Sequence, residues 1–330
     1  MNIGINGMGR IGRAILKQAI TNNLEIRAIN DANMTPQELV YLLKYDSTLQ
    51  RLNAQIEAGE DSIIIKGKAI PFTQESEPAN IVWGQYDVQY VFECTGKYTT
   101  TESASAHLHG GASKVIICSP STDAPTFIQG ANESKYDNSQ QIISMGSCSS
   151  HAGAVILRLL QDTMGINSAV VKVVRAYTND QSVMDNANST YPERGRACAM
   201  NIIPTHTDAN KVIGKVIPEL NKSLLAQAFR TPTILGGVID ITFTTDKAYT
   251  ASEINETLQQ NVKNLKGILD YTTEPLVSSD VIGNTSSVVV LGRYTTAIGN
   301  GMFNVVGLYD NENAFAKRCV EMAQYMNSME

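Results

Sequence analysis

Apolar and polar positions keep two different rhythms along this chain. Up to about residue 165, short apolar runs alternate with segments whose apolar residues recur at helical spacing. Met1 to Asn6 predicts a strand, and Arg10 to Thr21 a helix with Ile11, Ala14, Ile15 and Ala19 on one face. Leu24 to Ile29 predicts a second strand and Pro36 to Lys44 a second helix. Asp87 to Glu93, Lys114 to Cys118 and Gln141 to Ser144 read as buried parallel strands, with helices expected over Thr101 to His109 and Ala152 to Gln161. This alternation is the mark of a doubly wound α/β sheet. Later strands are longer and β-branched, at Val170 to Val174, Ile234 to Thr245, Ser286 to Leu291 and Asn304 to Tyr309, with few helices between them. They predict a second domain of α+β type around a largely antiparallel sheet, and Ala314 to Met326 predicts a terminal helix.

A length of 330 residues agrees with two domains, each able to bury a core. The hydrophobic share of 43% and charged share of 18% are those of a globular protein. A net charge of −6 argues against nucleic acid or a membrane surface as the main partner. No segment approaches the roughly 20 apolar residues of a membrane span, and Met1-Asn2-Ile3-Gly4 enters a strand directly rather than a signal peptide. The five cysteines, at 94, 118, 148, 198 and 319, form no CxxC pair. No disulfide framework, zinc site or other metal is therefore expected, and the expected compartment is a reducing cytoplasm.

Two places carry chemistry. Gly7-Met8-Gly9-Arg10-Ile11-Gly12 follows the first strand and opens the first helix. In that context Gly7 permits a tight turn, Gly9 lets the backbone approach a pyrophosphate, and Gly12 lets helix pack on strand. Asp31, at the end of the second strand, stands where a carboxylate binds both hydroxyls of an adenosine ribose and repels a 2′-phosphate. NAD is thus expected over NADP, with a helix-capping role as the alternative for Asp31. The second place is Cys148, in Ser144-Met145-Gly146-Ser147-Cys148-Ser149-Ser150-His151. Small hydroxyl residues there read as a helix N-cap, which puts Cys148 in the first turn, where free N–H groups and the helix dipole favour a thiolate nucleophile. The alternative is a small buried residue at a tight turn.

The chain resembles glyceraldehyde-3-phosphate dehydrogenases. The resemblance rests on Ile3 to Arg13, Ala28-Ile29-Asn30-Asp31, Leu42 to Ser47, Glu93-Cys94-Thr95-Gly96, Asn201-Ile202-Ile203-Pro204, Gly214 to Leu220, Phe229 to Thr233 and Tyr309-Asp310-Asn311-Glu312. It implies a Rossmann domain over 1–148, completed by the terminal helix 313–330, and a catalytic domain over 149–312. It also implies a homotetramer, NAD as cofactor, and a phosphorylated aldehyde and inorganic phosphate as substrates. The cysteine attacks the aldehyde, hydride leaves for the nicotinamide, and phosphate cleaves the resulting thioester. By resemblance, Gly7, Gly9, Arg10, Ile11 and Gly12 hold the cofactor with Asp31. Thr95, Gly96, Ser119 and Asn311 complete that set, Asn311 orienting the carboxamide. Ser147 and Thr207 match residues that bind the attacking phosphate, and Thr178 and Arg230 those that hold the substrate's phosphate. Arg196 matches an arginine of a mobile loop beside the site.

Several positions depart from the family. Arg175 stands where the family has its catalytic histidine. An arginine lowers a neighbouring thiol pKa and stabilises an oxyanion, but it cannot accept a proton near neutral pH. His151, three residues after Cys148, and His206, beside Thr207, are the candidate replacement bases, the first with a structural alternative and the second with an exposed one. His107 and His109 read as structural. Asp208 replaces a glycine and places a carboxylate beside the phosphate site, repelling the anion unless it points outward or pairs with Lys211 or Arg175. Glu312-Asn313-Ala314-Phe315 lacks the family's Trp-Gly-Tyr and some of its aromatic packing. The expected function is phosphorylating oxidation of glyceraldehyde 3-phosphate, slowed by Arg175. The alternatives are a dehydrogenase of another phosphorylated aldehyde of the erythrose 4-phosphate type, and a catalytically impaired NAD-binding paralogue with a regulatory role.

Overall fold

The computed structural model describes residues 1–49, 51–52, 54–299 and 301–330. It divides into two compact units. The first comprises Met1–Phe127, Glu133–Gly146 and Ala316–Glu330, the second Ile128–Asn132 and Ser147–Phe315.

In the first unit the elements run β1 (Asn2–Asn6), α1 (Arg10–Thr21), β2 (Glu25–Asn30), α2 (Pro36–Lys44), β3 (Ile56–Ala58), β4 (Ser62–Ile65) and β5 (Lys68–Thr73). They continue with β6 (Tyr90–Glu93), α3 (Thr101–Ala104), α4 (Ala106–His109), β7 (Lys114–Ile117) and β8 (Ile142–Ser144). The sheet order is β3-β4-β5-β2-β1-β6-β7-β8. From β5 to β8 every pairing is parallel, as the alternating pattern demanded. The antiparallel β3-β4-β5 extension was not anticipated. Its signal was present: Ile63, Ile65, Ile70 and Phe72 alternate inward, and Lys66-Gly67, both at positive φ, make the two-residue turn between β4 and β5.

Boundaries moved for local reasons. The helix expected over 101–109 is two short pieces, because the Ser105 hydroxyl donates to the Glu102 carbonyl at 2.7 Å and competes with the helix ladder. The strand expected from Asp87 starts at Tyr90, since Asp87 sits in the left-handed region at φ 58°. Thr35 and Glu38 cap α2 reciprocally, with Pro36 in the first turn, which is why that helix begins where the sequence placed it.

The second unit holds α5 (Cys148–Met164), β9 (Ser168–Ala176), β10 (Ile203–Thr205), α6 (Ala209–Val216), β11 (Leu224–Thr231), β12 (Gly237–Thr244) and α7 (Ala251–Asn261). After these come β13 (Leu269–Thr272), β14 (Val288–Leu291), β15 (Thr296–Ile298) and β16 (Met302–Tyr309), and α8 (Asn313–Ser328) closes the chain. The path is β10-β11-β9-β12-β16-β14-β13, with β15 on β16. It is mixed: β11 pairs with β9 and β13 with β14 in parallel, and the other pairings are antiparallel. Three helices of eight or more residues, α5 to α7, accompany this sheet, more than the β-rich texture suggested. The missed α6 carries Val212, Ile213 and Val216 on one buried face. α5 is buried along most of its length, and a Cβ added at Gly153 would touch Ile213, Ile239 and Val171. The helix therefore lies close on β9 and β12.

The residues after α2 lock the glycine turn. Arg13 donates to the Met8 carbonyl at 3.1 Å and pairs with Asp46 at 3.2 Å, and the Asp46 side chain is only 3% exposed. Burial raises the Asp46 pKa, but the N–H groups of Leu49 and Thr48, the Thr48 hydroxyl and Arg13 outweigh it, and the net shift is downward. No helix among the described residues is long and apolar enough to cross a membrane.

Removing the Asp46 carboxylate leaves Arg13 buried beside a missing partner. Asp46→Ala is expected to cost about 3–5 kcal/mol, the range for breaking a buried pair, measured by denaturant unfolding. Because the folded-state pKa is depressed, the carboxylate stabilises the fold above the unfolded carboxyl range near ~4 and loses that contribution as pH falls through the folded value. The gap between wild type and Asp46→Asn is therefore expected to narrow in acid.

Candidate active site

In the first unit, a cleft of about 210 Å³ opens beside the glycine turn, lined by Gly7, Gly9, Asp31 and Thr95 among others. Gly7 has φ 91°, and a Cβ at Gly12 would lie 1.9 Å from the Gly7 carbonyl oxygen. Nothing stands within 4 Å of a Cβ on Gly9, so its backbone faces open space. The Met8 N–H donates to Asp31 at 2.6 Å and the Asn33 N–H at 2.9 Å, so the carboxylate is fixed at the tip of β2. Ser119 Oγ is buried and makes no hydrogen bond within the described residues. A glycine cradle with free approach, a held carboxylate and an unspent hydroxyl fit a dinucleotide. Arg10 and Ile11 open α1 beside this turn.

A buried polar chain braces the turn. Asn30 donates to Asn6 at 2.8 Å, Asn6 to Glu93 at 2.6 Å, and the Thr95 N–H to the same carboxylate at 2.7 Å. Thr95 is thereby held against Gly7, where an added Cβ would stand 2.9 Å from it. His107 Nδ1 accepts from Trp83 Nε1 at 3.0 Å, which leaves the proton on Nε2 to donate to Glu93 at 2.9 Å. Sequence reading marked His107 as structural and overlooked Glu93, although both belong to this chain.

In the second unit, Cys148 is the first residue of α5, and Ser147 caps the helix by accepting the Ser150 N–H at 3.3 Å. Arg175 ends β9 opposite Arg230 on β11. Both guanidiniums lower the Cys148 pKa, as does the Ser149 N–H, while Asp310 raises it. Burial is the largest effect, however, and the net shift is upward. Burial thus opposes the thiolate that the helix start and the two cations favour. Arg230 is itself held down to about 10, by burial and then by Arg175, and stays charged at neutral pH. It donates to the Ala176 carbonyl at 2.7 Å, while the Nε atoms of Arg175 and Arg230 are buried without a hydrogen bond.

Thr178 lies in the same corner, where its hydroxyl bonds Asp180 and Gln181. Asp180 also pairs with Arg194 at 2.9 Å and faces Arg230 at 3.9 Å. Neither Asp180 nor Arg194 was singled out from sequence, though Asp180 stands inside the motif that carries Thr178. Thr207 accepts the Ala209 N–H at 3.2 Å at the start of α6. Asp208 pairs with Lys211 at 2.9 Å and His206 at 3.2 Å, which lowers its pKa. Its φ of −93° needs no glycine, so that substitution strains nothing. Arg175 reaches His206 only through its carbonyl, at 3.5 Å.

Three further candidates make contacts of their own. Arg196 is exposed and pairs with Asp185 at 3.2 Å. Asn311 accepts the Gly236 N–H at 2.9 Å. His151 is buried and packs edge-on against Phe315 at 5.4 Å, so Phe315 restores some of the aromatic packing absent from this segment. The remaining histidine candidate, His206, is exposed.

Fold and site together define a class: an oxidoreductase with a Rossmann unit for NAD and a separate sheet-based catalytic unit. The family model described as glyceraldehyde 3-phosphate dehydrogenase, NAD binding domain, matches residues 1–101, and the corresponding C-terminal domain matches 147–311. The glyceraldehyde-3-phosphate dehydrogenase of Podospora anserina is 38% identical over 328 residues, covering 99% of this chain and 97% of the relative. That of Ajellomyces capsulatus is 39% identical over 328 residues, covering 99% and 97%. Glyceraldehyde-3-phosphate dehydrogenase 2 of Danio rerio is 37% identical over 330 residues, covering 99% and 98%. The chain belongs to the glyceraldehyde-3-phosphate dehydrogenase family.

Because the Cys148 pKa is raised, its alkylation by iodoacetamide is expected to quicken with pH through and beyond the ordinary thiol range. Arg175→Gln removes a cation that lowers it, and is expected to slow alkylation at pH 8.

Proposed function

We propose that this protein oxidises glyceraldehyde 3-phosphate to 1,3-bisphosphoglycerate through a thioester on Cys148. The observation that carries this reading is the thiol at the start of α5, flanked by Arg175 and Arg230. The Cys148 thiolate bonds to the aldehyde carbon, and the C–H electron pair then leaves as hydride. Bound NAD supplies the acceptor for that hydride. Phosphate oxygen next attacks the thioester carbon, the C–S bond breaks, and the thiolate is released.

Arg230 and Thr178 hold the phosphate of the aldehyde, since a charged planar guanidinium suits a dianion. Ser147, at the helix cap, and Thr207, at the start of α6, receive the attacking phosphate. Asp208 spends its charge on Lys211 and His206, which weakens its repulsion of that anion. Asp31 takes the adenosine ribose and Asn311 the carboxamide. Arg196 is exposed and spends its charge on Asp185. His151 serves packing against Phe315 rather than proton transfer, and Arg175 cannot serve as a base. The chain thus forgoes a contribution that is typically worth roughly 10²–10⁴-fold. A cytoplasmic homotetramer completes the reading. Exposed Leu225, Ile298 and Met302 on the second unit's sheet support association, and size-exclusion chromatography tests it.

Stopped-flow mixing with NAD and glyceraldehyde 3-phosphate is expected to give a burst of one NADH per Cys148, absent in Cys148→Ala, followed by phosphate-dependent turnover. No burst from a protein that still binds NAD would overturn the proposal. Arg230→Ala is expected to raise KM for the aldehyde by roughly 10–100-fold, the loss of a charge-assisted hydrogen bond. Asp208→Gly is expected to lower KM for phosphate without changing the burst.

A further inference from the structure

Four residues stand in register across the end of the second sheet: Arg230 on β11, Arg175 on β9, Gly237 on β12 and Tyr309 on β16. Residues paired in this way project on one face. It is the face that α5 covers, since Gly153 lies on Ile239 and Val171. One step of two residues along β12, about 7 Å, leads from Ile239 to Gly237. Five residues back along α5, about 7.5 Å, lead from Gly153 to Cys148. The row therefore lies under the first turn of α5.

Gly237 leaves a gap in the row, and Tyr309 fills it. A Cβ at Gly237 would stand 2.5 Å from Tyr309 Cζ and 2.6 Å from its Oη. The ring thus lies across Gly237, the register partner of Arg175. Tyr309 is 1% exposed, and its hydroxyl makes no hydrogen bond within the described residues. Arg175 Nε is buried and equally unspent. Two donors without acceptors, on the same row as the thiol's cations, lack a common oxygen.

We propose that Tyr309 and Arg175 form an oxyanion site that holds the Cys148 adduct as an alkoxide, so that oxidation proceeds without a general base. The proposal rests on the aldehyde chemistry given above and assigns it the missing proton step. The Cys148 thiol first gives up its proton to solvent, and when its sulfur pair then bonds to the aldehyde carbon, the carbonyl π pair moves to oxygen. A family histidine would handle a proton on that oxygen. Here the oxygen stays anionic, its charge met by Arg175 and by the Tyr309 O–H. Collapse re-forms the C=O bond from the oxygen pair while hydride departs to the bound dinucleotide, and no proton moves. Burial, foremost, keeps Tyr309 protonated and hence a donor, and the Cys148 charge acts in the same direction. The other charged groups facing the thiol are Arg230 and Asp310, and Asp310 is occupied by the N–H groups of Gly283, Glu312 and Asn313.

The test uses unphosphorylated [1-¹³C]glyceraldehyde and the full-length protein, with no dinucleotide added, read by ¹³C NMR. A protein-bound resonance of a sulfur-substituted tetrahedral carbon, distinct from that of the free aldehyde hydrate, is expected in wild type and not in Cys148→Ala. Its titration is expected about two pH units lower than in Tyr309→Phe or Arg175→Gln, matching the roughly 10²-fold value of one oxyanion donor. Thermal melting checks that each variant is folded, and Arg175→Gln carries the test if Tyr309→Phe is not. Titration at the same pH in wild type and a folded variant would overturn the proposal, as would the absence of any adduct. A shifted adduct without an NADH burst from glyceraldehyde 3-phosphate would support the oxyanion site and reject the substrate assigned above.

Discussion

The close seat of α5 on its sheet is the constraint from which the chemistry of the second unit follows. Gly153 allows Val171, Ile239 and Ile213 to meet the helix without an intervening side chain. That contact fixes the height of the helix above β9 and β12, and with it the place of its first turn. Cys148, partly buried, packs against the same core. Positioning and desolvation are thus two results of one packing decision. A looser helix would free the thiolate and lose its alignment with the arginines.

Charge at this corner is distributed to match. Two guanidiniums stand at neighbouring strand ends, and burial, then Arg175, depresses Arg230. Asp180 offsets part of their mutual repulsion from one side, bridging Thr178, Arg194 and Arg230. On the other side, Lys211 and His206 absorb the charge of Asp208. Arg175 and Arg230 thus act on the thiol against the single carboxylate of Asp310. An arginine at 175 suits such a corner when the task is to meet negative charge rather than to carry protons.

The parallel half of the first sheet was legible because buried parallel strands are short continuous apolar runs and the glycine turn has a single structural context. Pro36 and the Thr35–Glu38 pair marked the start of α2 in the same way. The β3-β4-β5 extension escaped because its strands are short and half polar. α6 escaped because its eight residues offer barely two turns of periodicity. Candidate site residues inside glycine, cysteine or arginine motifs were visible as residues, but not their state. No one-dimensional pattern shows that α5 lies close enough to raise a thiol pKa, or that Gly237 opens a gap for Tyr309. Register across β9, β12 and β16 brings together positions 175, 237 and 309, and that information exists only once strands are paired.

The polar chain beneath the glycine turn also gives the molecule an optical signal. Trp83 is the only tryptophan in the sequence, and its indole N–H is the last link of the line running through His107 and Glu93 to Asn6 and Asn30. Its ring also lies against Gly4 in β1, where an added Cβ would come within 2.7 Å. Any event that shifts β1 against its neighbours changes the surroundings, and so the emission, of one known chromophore. The hydrogen-bonded line that steadies the turn is at the same time a built-in reporter of its condition, readable without a label.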